Sequence, residues 1–273
     1  MESHHYGWWP SVVSELAKWN YWTPSPEPEE VLESIAERDF GKGASWALEA
    51  WRYWSEAITY YIVTEEDQYG PCRVGPSYPL LFWQDPFLPS ANLPTVEYAH
   101  FGNRIVLPNY FFHEHVLQSP GASRLRVEIE SFHEFVGLWS KGIESLEQAV
   151  RELPQEKKAE GLRMLGLGEF ILNSAKTTIN VKKWWKLRRG LQVESDPSKA
   201  GKMLDEMVSI AEDEIENARA TIPLVEADSR LGWEPSMEYM TDRAHLEWKI
   251  KQVQRVLEEE IPKYRQILIL CDE

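Results

Sequence analysis

The sequence predicts a mainly α protein: a four-helix C-terminal bundle preceded by aromatic-rich N-terminal helices and an irregular, partly extended insert. Three observations carry this prediction. From Ile129, the apolar residues Ile129, Phe132, Val136, Trp139, Ile143, Leu146, Val150 and Leu153 recur every three or four positions, the period of a packed helix face. Of thirteen tryptophans, seven (Trp8, Trp9, Trp19, Trp22, Trp46, Trp51, Trp54) crowd the first fifth of the chain and need a large surface to pack against. Between these regions Pro86, Pro89, Pro94, Pro108 and Pro120 interrupt any regular element, because proline lacks the backbone N–H. The chain divides on this reading into 1–127 and 128–273, packed as one unit.

The elements follow in order. Tyr6-Gly7-Trp8-Trp9-Pro10 is irregular and reads like the middle of a larger protein, with His4 and His5 in a packed or mobile terminus. Pro10 and Ser11 start a helix carrying Val12, Leu16 and Trp19 on one face. After the connector Thr23–Pro28, a second helix begins with Pro28, Glu29 and Glu30 at its positive end and stops at Gly41 and Gly43. A third, with Trp46, Ala50, Trp51, Trp54, Ala57, Ile58 and Tyr61 inward, runs into Glu65–Leu80. Within 81–127, Asn103–Leu107 and Leu125–Ile129 read as short strands or extended segments, with room for a small hairpin. The first bundle helix ends at Pro154. The second, 155–191, turns Leu162, Leu165, Ile171, Ala175, Ile179 and Trp185 inward, and Gly166 and Gly168 suggest a bend or close approach. Ser195-Asp196-Pro197 starts the third, with Leu204, Met207, Ala211, Ile215, Ala218 and Ile222 as its seam. Asp242 starts the fourth, through Leu246, Ile250, Val253, Leu257, Ile261, Tyr264 and Leu268.

Composition narrows the function. A net charge of −15 argues against nucleic acid and anionic membranes as partners, since both require clustered Lys and Arg. The basic cluster Lys182, Lys183, Lys186, Arg188 and Arg189 reads as a solvated helix face whose stems cover Trp184 and Trp185. Cys72 and Cys271 are too few and too far apart for a disulfide framework or a metal cluster, which suits a cytoplasmic chain. The Met-Glu-Ser-His-His opening lacks the basic and apolar regions of a secretion signal, and no apolar run is long enough to span a membrane.

Two stretches carry most of the chemistry. Glu65–Leu80 combines three acids, Arg73, Tyr69, Tyr78 and Cys72 with Gly70, Pro71, Gly75, Pro76 and Pro79. Pro223–Met240, far longer than a bundle connection needs, holds Asp228, Arg230, Trp233, Glu234, Glu238 and Tyr239. Carboxylates, arginine forks and aromatic faces on rigid loops suit a polar, ring-shaped ligand such as a sugar. Glycoside hydrolysis needs two carboxyl groups some 5–10 Å apart; Glu65, Glu66, Asp67, Asp228, Glu234 and Glu238 supply carboxylates, while cap and ion-pair roles compete for each. His113-Glu114-His115 lacks a third ligand at a recognised spacing. Glu130-x-x-His133 and Asp242-x-x-His245 mimic half of a di-iron bundle site, but the intervening helices show no inward glutamate. Neither a metal nor another cofactor is expected, and no nucleophile elbow or phosphate-binding glycine loop is present.

The stretches WNYWTPSPEPEEVLESIAERDFG (19–41), AWRYWSEAITYYIVTEEDQYGPCRVGPSYPL (50–80) and EADSRLGWEPSMEYMTDRAHLEWKI (226–250) resemble the C-terminal part of large bacterial glycoside-hydrolase-like proteins. The nearest groups are α-glucuronidase-like and β-N-acetylhexosaminidase-like, in which a helical domain follows a (β/α)8 barrel. The resemblance implies a carbohydrate-associated domain with a sugar or uronic-acid substrate and a (β/α)8 catalytic domain as partner. Glu66, Asp67, Tyr69 and Arg73 on one loop, and Arg230, Trp233, Glu234 and Tyr239 on the other, would face the cleft or the barrel. The barrel is missing from this chain, so no catalytic residue carries over. Two alternatives stand beside this reading: a standalone glycosidase using loop carboxylates, and a homo-oligomerising structural module whose tryptophan-rich N-terminal face is the interface.

Overall fold

Helix boundaries follow local capping signals. The computed structural model describes residues 11–62, 72, 75–82, 120–231, 233–234 and 239–270. Helix α1, Val12–Trp19, is closed by a reciprocal box in which Ser14 N donates to Ser11 Oγ at 3.1 Å and Ser11 N donates to Ser14 Oγ at 2.9 Å. Helix α2, Pro28–Phe40, opens on a proline whose missing N–H needs no partner there, and ends at Gly41, whose φ of 54° favours glycine. A single 3-10 turn, Gly41–Gly43, leads into α3, Ala44–Ala57. Beyond it lie α4, Pro120–Arg151; α5, Gln155–Leu191; and α6, Pro197–Ala227, capped by Asp196. Two-residue strands β1, Trp233–Glu234, and β2, Tyr239–Met240, pair antiparallel. Helix α7, Arg243–Arg255, passes through a π turn, Val256–Glu260, into α8, Ile261–Leu270. The protein is mainly helical, as predicted. No helix among the described residues is long and apolar enough to cross a membrane.

The chain forms two compact units, Met1–Tyr61 with Glu134–Leu172, and Ile62–His133 with Asn173–Glu273. The core of the first gathers Phe40, Ala47, Ala50, Leu146, Ala149, Val150 and Leu153, with Trp51 and Trp54 against it. Trp139 stacks on Trp54 at 4.9 Å between centroids and on Phe135 at 5.0 Å. Both indoles are satisfied: half-buried Trp54 donates to Trp139 O at 3.1 Å and buried Trp139 to Gly168 O at 2.8 Å. Close backbone approach is built in, since a methyl group on Gly43 would lie 2.7 Å from Ala149 O.

The core of the second unit includes Tyr78, Leu80, Phe82, Val181, Trp184, Leu204, Met207, Ala211, Val253, Val256 and Ile261. Three of these belong to segment 75–82, which the sequence presents as a continuation of an exposed loop. Its Leu80 is fully buried, and Tyr78 and Phe82 nearly so. Gly75 opens a turn that Tyr78 N closes by donating to Gly75 O at 3.0 Å, Pro76 and Pro79 keep the segment out of a helix, and its apolar side chains enter the core in place of another helix.

Several sequence expectations change. Leu125–Ile129 is helix, because α4 starts at Pro120 and not at Ile129; proline is well tolerated in a first turn. Pro223 sits inside α6, which continues to Ala227 and buries Val225, so the following connection begins at Asp228. On α3 the fully buried residues are Ala47, Ala50 and Ala57, while Trp46, and Ile58 just beyond the helix, are exposed: small residues let α3 approach closely. On α5, Leu162 is exposed, and Trp184, not Trp185, is the buried indole. The expected strand Asn103–Leu107 and the His113–His115 pair lie outside the described residues.

The seam expected for α7 and α8 is present, with Leu246, Val253 and Ile261 buried and Ile250, Leu257, Tyr264 and Leu268 packed against the core, but polar residues are buried beside it. Ile250 and Leu257 are half-buried, whereas Lys249, Gln252 and Val256 are buried. The buried positions step from Val256 to Ile261, five residues, which an uninterrupted α-helix would carry off its face. The π turn absorbs that step.

Candidate functional site

The sequence-chosen residues divide by placement. Glu66, Asp67, Tyr69 and Arg73 lie outside the described residues. Arg230 is half-buried, and its fork binds Asp228, Nε to Oδ1 at 2.8 Å and Nη2 to Oδ2 at 2.6 Å. Asp228 also accepts from Arg230 N at 3.1 Å, so one carboxylate turns the chain and holds the guanidinium. Trp233 pairs in register with Met240, and Glu234 with Tyr239, which folds this loop back on itself. Glu226 belongs to α6 and forms an ion pair with Arg243 at 2.7 Å.

The two chemically loaded stretches meet at their closing residues. The hydroxyls of Ser77 and Thr241, both buried, are 3.0 Å apart, which ties segment 75–82 to the residue that follows β2. Next to it, Asp242 caps α7 by accepting from His245 N at 2.9 Å, and its Oδ1 lies 2.7 Å from His245 Nδ1. One turn beyond Lys249, the Gln252 amide clamps the Leu80 backbone: Leu80 N donates to Oε1 at 3.1 Å and Nε2 donates to Leu80 O at 2.8 Å. Trp184 Nε1 completes the hold on the extended segment by donating to Leu81 O at 2.8 Å. Backbone groups that no sheet pairs are thus satisfied by side chains of α5 and α7.

The most concentrated electrostatics lie on residues that the sequence reading passed over. Glu214 on α6 and Lys249 on α7 form an ion pair at 0% exposure for both side chains. This corrects the expectation that the intervening helices lack an inward glutamate. Thr177 Oγ1 donates to Glu214 Oε2 at 3.1 Å and Asn180 Nδ2 to Oε1 at 3.0 Å. Asn217 extends the network, donating to Thr177 Oγ1 at 3.0 Å and to Asn173 O at 2.9 Å, and Asn173 donates to Thr221 Oγ1 at 3.0 Å. Burial pushes the Lys249 ammonium below the usual lysine range, against the opposing pull of Glu214. A second buried pair joins Lys182 to Glu128, so Lys182 is no part of a solvated basic face. Tyr78 Oη is buried without a hydrogen-bond partner among the described residues, and burial raises its pKa above the tyrosine range.

Chemically, this interior holds charge away from solvent. Glu214 and Lys249 touch no solvent. The concavity lined by Glu212, Ile215, Glu216, Arg219, Leu257 and Glu258 is an open depression of about 400 Å³ whose Arg219 is taken by Glu216; it lacks the enclosure of a ligand pocket. Glu130 and His133, one of the two pairs of the di-iron pattern, are exposed, and among the described residues no group of His, Cys, Asp and Glu is arranged to hold a metal. Compared with known proteins, the chain matches no family model, no curated protein and no solved structure.

Proposed function

We propose that the chain is a carbohydrate-associated helical domain of glycoside hydrolase type that completes or supports a sugar site. The observation that carries this reading is the Ser77–Thr241 bond, which brings the ends of the two acid-, arginine- and aromatic-rich stretches together. In this reading the four helices of 128–273 act as a bundle that frames the site, the chain works in the cytoplasm, and a (β/α)8 domain supplies the catalytic carboxylates. Arg230, Trp233, Glu234 and Tyr239 then meet the sugar alongside Glu66, Asp67, Tyr69 and Arg73. Titrating the chain with monosaccharides and uronic acids while following tryptophan fluorescence tests it. A saturable change that Arg230→Ala weakens is expected; an unchanged signal with every sugar sinks the reading. Turnover of aryl glycosides by the chain alone would instead favour the standalone glycosidase.

A second reading, an interaction module, has its own support. Helix α1 buries none of its residues, and Tyr21 and Trp22 after it are 91% and 64% exposed. Sedimentation of the chain with and without Trp22→Ala tests self-association, and an unchanged monomer dismisses it.

A further inference from the structure

The apolar seam of α7 and α8 does not by itself fix how α7 lies on α6. Moved by seven residues, Leu246 takes the place of Val253, and Ile250 that of Leu257; moved by eleven, Ile250, Val253 and Leu257 take the places of Ile261, Tyr264 and Leu268. At seven residues the exchanged apolar side chains are of similar volume, and at eleven only the exchange of Val253 for Tyr264 is not, so packing at the other positions discriminates weakly between registers. The polar side chains discriminate strongly. In the observed register Glu214 meets Lys249, with Thr177 and Asn180 of α5 closing its remaining lone pairs. Seven residues from Lys249 stand Asp242, which caps α7, and Val256, which opens the π turn, and either would leave Glu214 buried without a cation.

We propose that the Glu214–Lys249 pair is a register lock: it selects one setting of α7, and through α7 it holds Thr241 on Ser77 and Gln252 on Leu80. Glu128 and Lys182 play the same part between α4 and α5. Residues seven away from Lys182 are Ala175 and Arg189, neither of which reproduces a lysine's reach and fit. A buried pair of this kind contributes little net stability compared with apolar residues of equal volume, while a single polar position can specify alignment between helices. This proposal stands on the buried pair alone and does not require a sugar ligand.

The test separates alignment from stability. With Cys72 and Cys271 replaced by serine, Ser77→Cys and Thr241→Cys place two thiols where the hydroxyls are 3.0 Å apart, so oxidation reports the register of α7 against the segment. With the pair intact, crosslinking is expected to be near complete. In Glu214→Leu with Lys249→Met, the melting temperature is expected to hold or rise while crosslinking falls several-fold. Equal crosslinking in both chains overturns the proposal. Should the apolar pair fail to fold, Glu214→Gln with Lys249→Gln removes both charges, keeps a carbonyl oxygen to accept from Asn180 Nδ2 and an amide that can donate to Thr177 Oγ1, and is read in the same way.

Discussion

The two units solve the problem of a helical interior in opposite ways. In the first, aromatic rings and alanines pack with no buried ion pair among the described residues: Trp54, Trp139 and Phe135 stack, the two indoles reach backbone carbonyls, and Gly43 lets two backbones touch. In the second, the same kind of long helices enclose two ion pairs, a ladder of Asn and Thr, and an extended segment whose backbone is held by side chains. The contrast teaches where specificity comes from. Shape fixes the first core, because a ring or a missing methyl fits in one place. Charge and hydrogen bonding fix the second, because its apolar seams are self-similar.

The comparison breaks most sharply at Lys249. Lys249→Met leaves the Glu214 carboxylate buried without its cation, a loss of about 3–5 kcal/mol measurable by urea unfolding. A loss below 1 kcal/mol would mean that water or another cation serves Glu214. The first core is expected to break under addition. Gly43→Ala sets a methyl against the Ala149 backbone, which has no rotamer with which to yield, and should cost about 1–3 kcal/mol. An unchanged midpoint would show that α3 and α4 are not held as closely as described.

Alkaline pH sharpens the contrast further. Burial holds Lys249 below its unfolded pKa of about 10.4. Between those two values the unfolded chain keeps a proton that the folded chain has released, so stability rises with pH. Tyr78 is shifted the other way: its contribution is full below about pH 10 and is lost as pH climbs, at up to about 1.4 kcal/mol per unit. Tyr78→Phe should remove that alkaline loss and cost little at neutral pH, since the hydroxyl has no partner among the described residues. A loss as steep in the variant as in the parent would exclude Tyr78 as its source. The smallest effect is expected at Glu169 in the first unit, whose pKa is raised by partial burial and then by Glu147. An acid raised in this way opposes folding above its folded pKa and ceases to do so below its unfolded one. Glu169→Gln should therefore raise the melting temperature slightly at pH 7 and leave it unchanged at pH 3; a lower melting temperature at pH 7 would contradict this.

What the sequence made legible follows the same division. The Ile129–Leu153 seam, the Ser11, Pro28 and Asp196 helix starts and the Gly41 stop were all readable, because capping and apolar period are local signals. The buried network was not, because Glu and Lys within a helix default to solvent. A signal was nonetheless present. Asn173, Thr177 and Asn180; Glu214, Asn217 and Thr221; and His245, Lys249 and Gln252 each step by three or four, a polar stripe at helical spacing on three helices in turn. The Glu65–Leu80 stretch was singled out for its chemistry, yet its closing residues are held for their fit: Ser77 by a hydroxyl, Leu80 by an amide. Arg230 stood out as a binding fork, and its partner Asp228, two residues earlier, was visible beside it without a distance to join them.

Segment 75–82 belongs to the core of the second unit and is held there by α7. Hydrogen exchange at the Leu80 amide tests this most directly, since that N–H donates to the buried Gln252 side chain. It is expected to exchange only through global unfolding of the unit, with the same free energy as the interior amides of α7. Exchange at the rate of an exposed loop amide would contradict the account.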